Sequence, residues 1–512
     1  MYPIRNRRVI NLVTLVGLIG LMVFGFRIKP IAIVESLAWS SNTPDPYLSQ
    51  TIDSPLTNQI MYLPEIYKDH PWPNPFGVEV TSSITGTLLT RAEDLRIGWM
   101  RINGRVSWRE LQLNPGDPIN WGLLANFENE LRTLKAAGMT PIVIVNDSPH
   151  WATDNTVRID GQPTSCGPLL TDQFGAYADF MRSLVARYKT PEFNVHDWEL
   201  GNEPDVDPNL VPPDNNFGCW GDIADPLYGG GHYGEMLKVV GPAIKAEDHD
   251  AHVWIGGLLL ASPNTTDPNL GKPELFLKGI LEVGAAPYFD IVPYHWYPSY
   301  FQLKIDYDNN TGVAWDAWGG GTLGKARYLR QLMQAYGVEK PVFLNETGLG
   351  CPNDWTVYWY CIPPTYPDSL FYEVQRDYIV RTATRALSEN IMGYAWYTLN
   401  GPGWRFTGLL YNENDPKPVY IAYQQLTLQL QYTKYIGSVY YNNGIEAYAF
   451  QRAGQQVHVV WTTTDQTLFI NVPSSRFVSA FAWDGVIIPP TPIGSDYQFQ
   501  VGFSPIYLVL TP

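Results

Sequence analysis

From residue 76 onward, short apolar runs alternate with longer segments in which apolar residues recur at helical spacing. The strand-like runs lie at residues 76–80, 97–102, 141–145, 195–200, 253–260, 289–294, 341–345 and 392–398. The helical segments lie at residues 121–137, 174–188, 233–246, 274–283, 324–336, 372–389 and 420–431. Strands that are apolar on both faces and alternate with helices indicate a parallel sheet covered by helices. Eight such units predict an α/β fold, a (β/α)8 TIM barrel with long loops.

After about residue 432 the pattern changes to short runs in which apolar and polar residues alternate. These runs lie at residues 445–451, 456–462, 467–472, 478–483, 497–501 and 506–510. A period of two, with turn residues between the runs and no helices, predicts a small C-terminal antiparallel β-sandwich. We therefore expect a barrel over residues 71–431 and a sandwich over residues 432–512. The pattern leaves open whether a strand from before the barrel joins the sandwich.

A membrane-targeting segment precedes both predicted domains. Three arginines within the first eight residues stand before an apolar run at residues 9–26. That run is longer than most signal-peptide cores and just long enough to span a bilayer. Residues 1–35 are predicted to be an uncleaved membrane anchor or a cleaved signal, and residues 36–70 a polar, Pro-containing linker. Either way the protein is expected outside the cytosol, anchored in the membrane and facing outward, or secreted.

Charge and aromatic content narrow the classes of function. The net charge is −16, which argues against a nucleic-acid partner because phosphate binding needs a basic surface. Aromatic residues make up 14% of the 512 residues, and several fall in predicted loops at 355–360 and 396–404. Flat rings in loops are typical of sugar-binding sites, because they stack on the apolar faces of pyranoses. A generous aromatic core is the alternative interpretation.

All four cysteines follow the N-terminal segment, at positions Cys166, Cys219, Cys351 and Cys361. In an exported protein an even number of cysteines more often forms disulfides than thiol sites. Of the three possible pairings we expect Cys166–Cys219, which joins two loops on one face of the barrel, and Cys351–Cys361, which closes a short loop. No Cys-x-x-Cys or paired-His spacing accompanies them, so no metal site is predicted.

Two glutamates stand where predicted strands end. Glu203 follows the fourth strand in W-E-L-G-N-E-P at 198–204, and Glu346 follows the seventh in F-L-N-E-T at 343–347. Taken alone, Asn-Glu-Pro is also a good helix start, and a single Glu346 is also consistent with a solvated loop acid. In a barrel, however, strand ends meet at one mouth. Two carboxyls facing one pocket suit the hydrolysis of glycosidic bonds, in which one gives a proton while the other attacks or activates water.

The Asn-Glu-Pro motif after strand four, with a glutamate at strand seven, resembles the large clan of retaining (β/α)8 glycoside hydrolases. That resemblance implies that Glu203 is the acid/base and Glu346 the nucleophile. It also implies that Asn202 hydrogen-bonds the sugar 2-hydroxyl, a contact that strengthens in the transition state. Arg101, ending strand two, would keep Glu346 ionised by charge proximity.

The same resemblance extends to five aromatic and histidine positions. His295 and Tyr297, after strand six, match the clan's His and Tyr there, and the Tyr would donate to the nucleophile. Trp396, ending strand eight, matches the aromatic platform under the reactive sugar. His150 and Trp151, after strand three, would line the same subsite. For each of these positions a structural role in the core or in an ion pair is the alternative.

Within the clan, the segment at 95–112 with Trp99, Arg101 and Trp108, together with the sandwich, looks most like glycoside hydrolase family 39 and its relatives. Gly201 departs from that family, whose members often carry an aromatic residue there, and family 5 is the second choice. The expected activity is that of a retaining β-glycosidase on a polysaccharide or oligosaccharide, with no cofactor or metal. A non-catalytic glycan-binding protein and a structural envelope protein on the same fold are the alternatives.

Overall fold

The computed structural model describes residues 74–84, 86–213, 215, 217–261, 272–309, 314–352, 361, 367–452 and 454–512. These residues all belong to one compact unit, His70–Pro512. The predicted anchor or signal, the linker and the aromatic cluster at 355–360 lie outside the described residues. No helix in the described part of the chain is both long and apolar enough to cross a bilayer.

Within these ranges, eight parallel strands form a barrel. They are β1 Phe76–Val80, β2 Trp99–Ser107, β3 Thr140–Asn146, β4 Asp197–Asn202, β5 His252–Gly257, β6 Val292–Trp296, β7 Val342–Thr347 and β8 Tyr394–Trp396. They are hydrogen-bonded in the order β5-β4-β3-β2-β1-β8-β7-β6. Parallel bridges between Trp254 and Ile291 and between Leu258 and Tyr294 join β5 to β6. The predicted (β/α)8 barrel is confirmed.

Helices follow the strands and cover the outside of the barrel. They are α1 Thr87–Asp94, α2 Trp108–Leu111, α3 Ala125–Ala136, α4 Phe174–Tyr188, α5 Gly230–Glu247, α6 Phe276–Glu282, α7 Gly320–Ala335, α8 Ser369–Ser388 and α9 Pro418–Leu430. Short 3₁₀ helices lie at Trp121–Leu124, Thr171–Gln173, Pro208–Leu210, Pro273–Leu275, Ala286–Tyr288, Ala314–Trp318 and Trp404–Phe406. The sequence pattern did not predict α1 or α2. Because α1 buries only Leu88 and Ala92, its apolar stripe is too narrow to stand out.

An apolar plug fills the lower half of the barrel and forms the floor of the site. Its members are Trp99, Ile142, Trp254, Ile291, Phe343 and Ala395, all at most 1% exposed. The ring of Phe343 lies 4.5 Å from that of Trp99 and 5.1 Å from that of Trp254. Full burial of each large ring stabilises the fold by about 2–3 kcal/mol. Side chains alternate along a strand, so Arg101 and Asn103, two and four residues after Trp99, point inward above this plug.

The C-terminal strands form two antiparallel sheets. They are β11 Lys434–Ser438, β12 Ile445–Arg452, β13 Gln455–Thr462, β14 Leu468–Pro473, β15 Phe477–Phe481, β16 Thr491–Ile493, β17 Asp496–Val501 and β18 Ile506–Leu510. The sheet orders are β11-β12-β13-β18-β15 and β14-β17-β16, and a small β9–β10 hairpin (Leu410–Asn412, Asp415–Pro416) precedes α9. Within the described residues every strand of these two sheets comes after the barrel. Ile470, Val472, Val460, Leu508 and Phe499 pack in one core between them, which confirms the predicted sandwich.

The sandwich is fixed to the barrel through α8. Arg385 binds both carboxylate oxygens of Asp306, in the loop after β6, and both oxygens of Glu446 on β12. One turn earlier, Arg381 donates to the carbonyls of Thr462 and Phe503 in the sandwich. Arg385 is 1% exposed. Since buried ion pairs are held in one geometry, this contact orients the sandwich relative to the barrel.

Candidate active site

Arg101 lies at the centre of the barrel mouth, and its guanidinium binds side chains from three other strands. Nε and Nη2 donate to the two carboxylate oxygens of Glu199 on β4, both at 2.8 Å. Nη2 also donates to Oδ1 of Asn202, at 2.6 Å. Nη1 donates to Glu346 of β7 and to Glu79 of β1. Because the guanidinium is planar and its donors diverge in fixed directions, Arg101 sets the relative positions of all four partners.

Glu346 is held on both oxygens. Tyr297 donates its hydroxyl to Oε2 at 2.6 Å, and Arg101 donates to Oε1. Nδ1 of His295 lies 3.5 Å from Oε2. Burial by itself raises the pKa of Glu346, but the neighbouring His295 and Arg101 and the hydrogen bonds to this carboxyl outweigh it and lower the pKa to about 2. Glu346 is therefore a carboxylate across the ordinary pH range.

Glu203 follows β4 directly and turns its side chain into the same mouth. Its backbone is left-handed, with φ 48°, and its amide donates to the carbonyl of Gly257 on β5 at 3.0 Å. The side chain is 14% exposed, and its Oε1 accepts a hydrogen bond from Nδ1 of His295 at 2.9 Å. A Cβ at Gly257 would lie only 2.1 Å from Nε2 of His295. Glycine at this position therefore makes room for the imidazole that contacts Glu203.

Glu203, His295 and Glu346 converge closely. One carboxylate oxygen from each glutamate and one ring nitrogen of His295 lie within 4.8 Å of one another. Such a set of oxygen and nitrogen atoms has the composition of a small metal site, but hydrogen bonds already engage it. Tyr297 and Arg101 bind the oxygens of Glu346, and Glu203 binds the imidazole. The arrangement is suited to proton transfer at one carboxyl and nucleophilic attack by the other.

The burial of Trp396 does not support its predicted role as an aromatic platform. Trp396 is fully buried, and its Nε1 donates to the carbonyl of Thr407 at 2.7 Å, so its ring faces the protein interior. The next residue, Tyr397, is partly exposed. Its ring centroid lies 6.1 Å from that of Tyr297, and the charges of Glu346 and other site residues act on its hydroxyl. Tyr397 is therefore the β8 aromatic that lies beside the carboxyl cluster.

The observed contacts of His150 and Trp151 are with neighbouring loops and with α2. Nδ1 of His150 forms a hydrogen bond with the carbonyl of Thr164, within the loop between β3 and α4. Trp151 donates its Nε1 to the carbonyl of Leu113 and packs edge-on against Trp108. Among the described residues, neither side chain forms a hydrogen bond with Glu203 or Glu346. The observed contacts of both residues support loop packing.

Several site residues were not identified from the sequence. Glu79 is the one charge in apolar β1, and Glu199 lies between apolar Trp198 and Leu200 in β4; a charge inside an apolar segment was the available signal. Asn345 donates to Glu199 Oε1 at 2.9 Å, beside the backbone amide of Gly257. Trp404, in the aromatic-rich segment 396–404 that the sequence had indicated, is 49% exposed, and its ring lies 5.5 Å from that of Tyr297. Trp404 therefore adds an accessible aromatic surface near the carboxyl cluster.

Both predicted disulfides are confirmed. Cys166 is bonded to Cys219 with Cα atoms 5.4 Å apart, and Cys351 to Cys361 with Cα atoms 5.6 Å apart. The first joins the loop after β3 to the loop after β4. The second lies in the loop after β7, directly beyond Glu346. Both bonds therefore constrain loops at the carboxyl ends of barrel strands, where the candidate site lies.

Neither a protein-family model nor a curated protein matches the chain, but solved structures do. A family 39 glycoside hydrolase from the gut symbiont Bacteroides cellulosilyticus is 18% identical with a TM-score of 0.62, over 86% of this chain and 81% of that one. A family 30 endoxylanase from Clostridium papyrosolvens is 12% identical with a TM-score of 0.58, over 86% and 96%. A family 39 β-xylosidase from Caulobacter crescentus is 16% identical with a TM-score of 0.53, over 86% and 96%. The resemblance to family 39 is confirmed at the level of the fold.

Proposed function

We propose that this chain is a retaining β-glycoside hydrolase that acts on a polysaccharide or oligosaccharide. The observation that carries the proposal is the closeness of Glu203 and Glu346. One carboxylate oxygen of Glu203 lies within 4.8 Å of one carboxylate oxygen of Glu346, across the barrel mouth. Retaining enzymes place their two carboxyls about 5–5.5 Å apart, whereas inverting enzymes leave about 6.5–9.5 Å for a water molecule. The short separation therefore favours retention of configuration.

In the first step Glu346 attacks the anomeric carbon while Glu203 donates a proton to the departing glycosidic oxygen. A bond forms between a carboxylate oxygen and the anomeric carbon as the glycosidic bond breaks, which leaves a covalent glycosyl-enzyme. Arg101 and Tyr297 aim the attacking carboxylate through their hydrogen bonds to it. His295 orients Glu203 through the bond to its Oε1.

In the second step Glu203 acts as base. It removes a proton from water, the water oxygen attacks the anomeric carbon, and Glu346 departs as a carboxylate. Two displacements on opposite faces return the product with the original configuration. Both carboxyls are then restored to their starting protonation states.

The sugar would be held by groups around the two glutamates. Arg101 fixes the amide of Asn202 beside Glu203, in position to contact the sugar 2-hydroxyl. The rings of Tyr397 and Trp404 flank Tyr297 and offer stacking surfaces. Two of the similar structures are named for xylan or xyloside cleavage, so β-xylosides and xylan belong in the first substrate screen.

We also propose that the protein is exported, with the N-terminal segment as membrane anchor or cleaved signal. Two disulfides support an oxidising compartment. Fractionation of the native host followed by N-terminal sequencing distinguishes the two forms. An intact N-terminus in the membrane fraction identifies an anchor, and a shortened soluble protein identifies a signal. Recovery of the full-length protein in the cytosol would contradict export.

The decisive experiment replaces each glutamate by alanine. Glu346→Ala should abolish turnover because no covalent intermediate can form, and added azide should give a glycosyl azide of inverted configuration. Glu203→Ala should slow substrates with poor leaving groups by about 10²–10⁴-fold, and spare activated aryl glycosides in the first step. For those aryl substrates azide should accelerate the second step and give a product of retained configuration.

The control is Glu413→Ala, an exposed glutamate in the turn between β9 and β10, which should behave as wild type. Exchanged stereochemical outcomes would reverse the two roles. Equal activity of wild type, Glu203→Ala and Glu346→Ala on one glycan would place the active site elsewhere. Binding of a glycan without any hydrolysis would instead identify a non-catalytic lectin-like protein.

A further inference from the structure

A third carboxyl, Glu79, lies beside the proposed nucleophile. Glu79 stands in β1 opposite Arg101 in the strand register, and its side chain is fully buried. Its Oε2 accepts from Nη1 of Arg101, the same nitrogen that donates to Glu346. Its Oε1 accepts from Nδ2 of Asn103 at 3.0 Å. Glu79 is therefore not accessible to substrate and can influence the reaction only through Arg101 and Glu346.

The charges in this cluster do not balance if every carboxyl is ionised. One guanidinium faces three buried carboxyls, those of Glu79, Glu199 and Glu346. Glu199 takes the two-pronged contact of Arg101 and two further N–H donors, from Gly257 and Asn345. Glu79 and Glu346 share the remaining nitrogen. Because an unpaired buried charge costs several kcal/mol, one of these two carboxyls is expected to keep its proton.

Contacts decide which carboxyl that is. Glu79 and Glu346 both accept from Nη1 of Arg101, so their carboxyl oxygens lie side by side, and two carboxyls in contact can share a hydrogen bond only when one carries a proton. Glu346 also accepts from Tyr297 and lies near His295, and both stabilise its anionic form. Burial, followed by the charge of Glu346, raises the pKa of Glu79 well above its usual range, although Arg101 opposes this. The proton belongs on Glu79.

We infer that Glu79 is a positioning residue that keeps its proton and donates it in a hydrogen bond to Glu346; the mechanistic consequence rests on the glycosidase function proposed above. This neutral donor fixes the orientation of Glu346 and withdraws charge from it. A less basic carboxylate is a better leaving group, so the donor assists hydrolysis of the glycosyl-enzyme. An ionised Glu79 would instead repel Glu346 at the same distance.

The charged and titratable groups that face Glu79 come from every strand packed against it. Arg101 lies on β2, Glu346 on β7, Tyr297 after β6 and Tyr397 after β8. Both tyrosines are neutral at ordinary pH because burial raises their pKa values. The charge state of Glu79 is therefore set by burial and by its balance between Arg101 and Glu346.

The first test needs neither a variant nor a substrate. Neutron diffraction from deuterium-exchanged crystals of the wild-type protein at neutral pH locates hydrogen positions directly. The inference expects a deuteron on a carboxyl oxygen of Glu79, directed at Glu346. A deuteron on Glu346 instead, or on neither carboxyl, would overturn it. This outcome is independent of whether any glycan is cleaved.

The second test compares Glu79→Gln, which keeps an uncharged N–H donor, with Glu79→Leu, which removes it. Loss of the donor raises the pKa of Glu346, so Glu79→Leu should move the acid limb of kcat/KM up by about one pH unit. On activated aryl glycosides it should also lower kcat about tenfold and lower KM in parallel, because the covalent intermediate accumulates. Glu79→Gln should keep the acid limb of the wild type.

Other outcomes have distinct meanings. A downward shift of the acid limb in both variants would mean that a negative charge had been removed, and the inference would be wrong. An unmoved acid limb with raised KM in Glu79→Leu would show a packing role only, and would also sink it. If the wild type cleaves no glycan, the proposed function fails, and the neutron result alone still decides where the proton lies.

Discussion

At the scale of single residues, the backbone of Glu203 is held in a left-handed conformation that a non-glycine residue adopts at a cost of about 1–2 kcal/mol. The amide of Glu203 is anchored on the carbonyl of Gly257, and its carbonyl accepts from the amide of Val206. Strain of this kind persists where the surrounding structure fixes it and is common at active sites. Here it turns the carboxyl out of the strand direction and toward His295.

The two adjacent aromatics at the end of β8 should differ in what they contribute. Removing the ring of Tyr397 takes away a stacking surface worth about 1–1.5 kcal/mol, so Tyr397→Ala should lower kcat/KM about tenfold with little change in Tm. Trp396→Phe leaves the carbonyl of Thr407 without its buried donor and should lower stability by about 1–3 kcal/mol. Steady-state kinetics and thermal unfolding of both variants check the prediction. A larger loss of kcat/KM in Trp396→Phe than in Tyr397→Ala would show that Trp396, not Tyr397, is the stacking surface for the sugar.

The sequence alone did not distinguish the buried Trp396 from the partly exposed Tyr397. An apolar run such as Y-A-W-Y at 394–397 contains no mark of which aromatic faces the mouth, because strand and loop geometry decides it. Glu203 and Glu346 could be found because each carboxyl follows an apolar run at a strand end. Glu79 lies within a strand, and its relation to Glu346 depends on register with Arg101, which no local pattern encodes.

At the scale of elements, α7 reaches into the site from outside the barrel. Its Lys325 is 3% exposed and donates Nζ to the carbonyls of Leu259 and His295, at 2.5 and 2.7 Å. The ammonium group also lies over the rings of Trp296 and Trp315. One side chain thereby ties the helix to the loop after β5 and to the backbone of the histidine that contacts Glu203.

Burial lowers the pKa of Lys325 to about 7, against the opposing charges of Asp205 and Glu203. Between about pH 7 and 10.5 the amine of Lys325 is protonated in the unfolded chain but not in the folded protein. Folding therefore becomes more favourable as the pH rises through this window. The gain is at most about 1.4 kcal/mol per pH unit. The Tm of the wild type should therefore rise relative to that of Lys325→Met from pH 7 to 10. A constant difference would mean that Lys325 stays charged.

Helices and strands could be predicted wherever one buried face gives the sequence a clear periodicity of apolar residues. The eight barrel strands and α4, at Phe174–Tyr188, follow directly from apolar runs and helical spacing. The strands β11 and β16 were missed because β11 alternates only between exposed and half-buried residues and β16 is fully exposed. Both are edge strands, which gain their structure from hydrogen bonds to a neighbour rather than from an apolar face. β2 continues to Ser107, past the predicted end at residue 102; in this polar extension Asn103 binds Glu79 and Arg105 binds Glu130 of α3.

At the scale of the whole molecule, stability of the barrel and sandwich is linked through Arg385. Arg385→Met would leave the buried carboxylate of Asp306 and the half-buried one of Glu446 without their shared partner, and should cost about 3–5 kcal/mol. Arg327→Met is the matched control, because its two-pronged pair with Glu389 is partly exposed and should be worth about 1 kcal/mol or less. Denaturant unfolding of both variants measures the difference. Equal losses would contradict the linkage.

The guanidinium of Arg385 also limits how the domains of this protein can be exchanged with those of other proteins. A foreign carbohydrate-binding module grafted in place of the sandwich would remove Glu446 and leave one fork of Arg385 without its acceptor. The graft would also remove Trp461 and Phe503, over whose rings Arg381 lies, and leave that arginine without its packing partners. A workable exchange must supply an acidic residue at that spot or replace both arginines together. The barrel and its sandwich should therefore be transferred together when this chain is recombined with others.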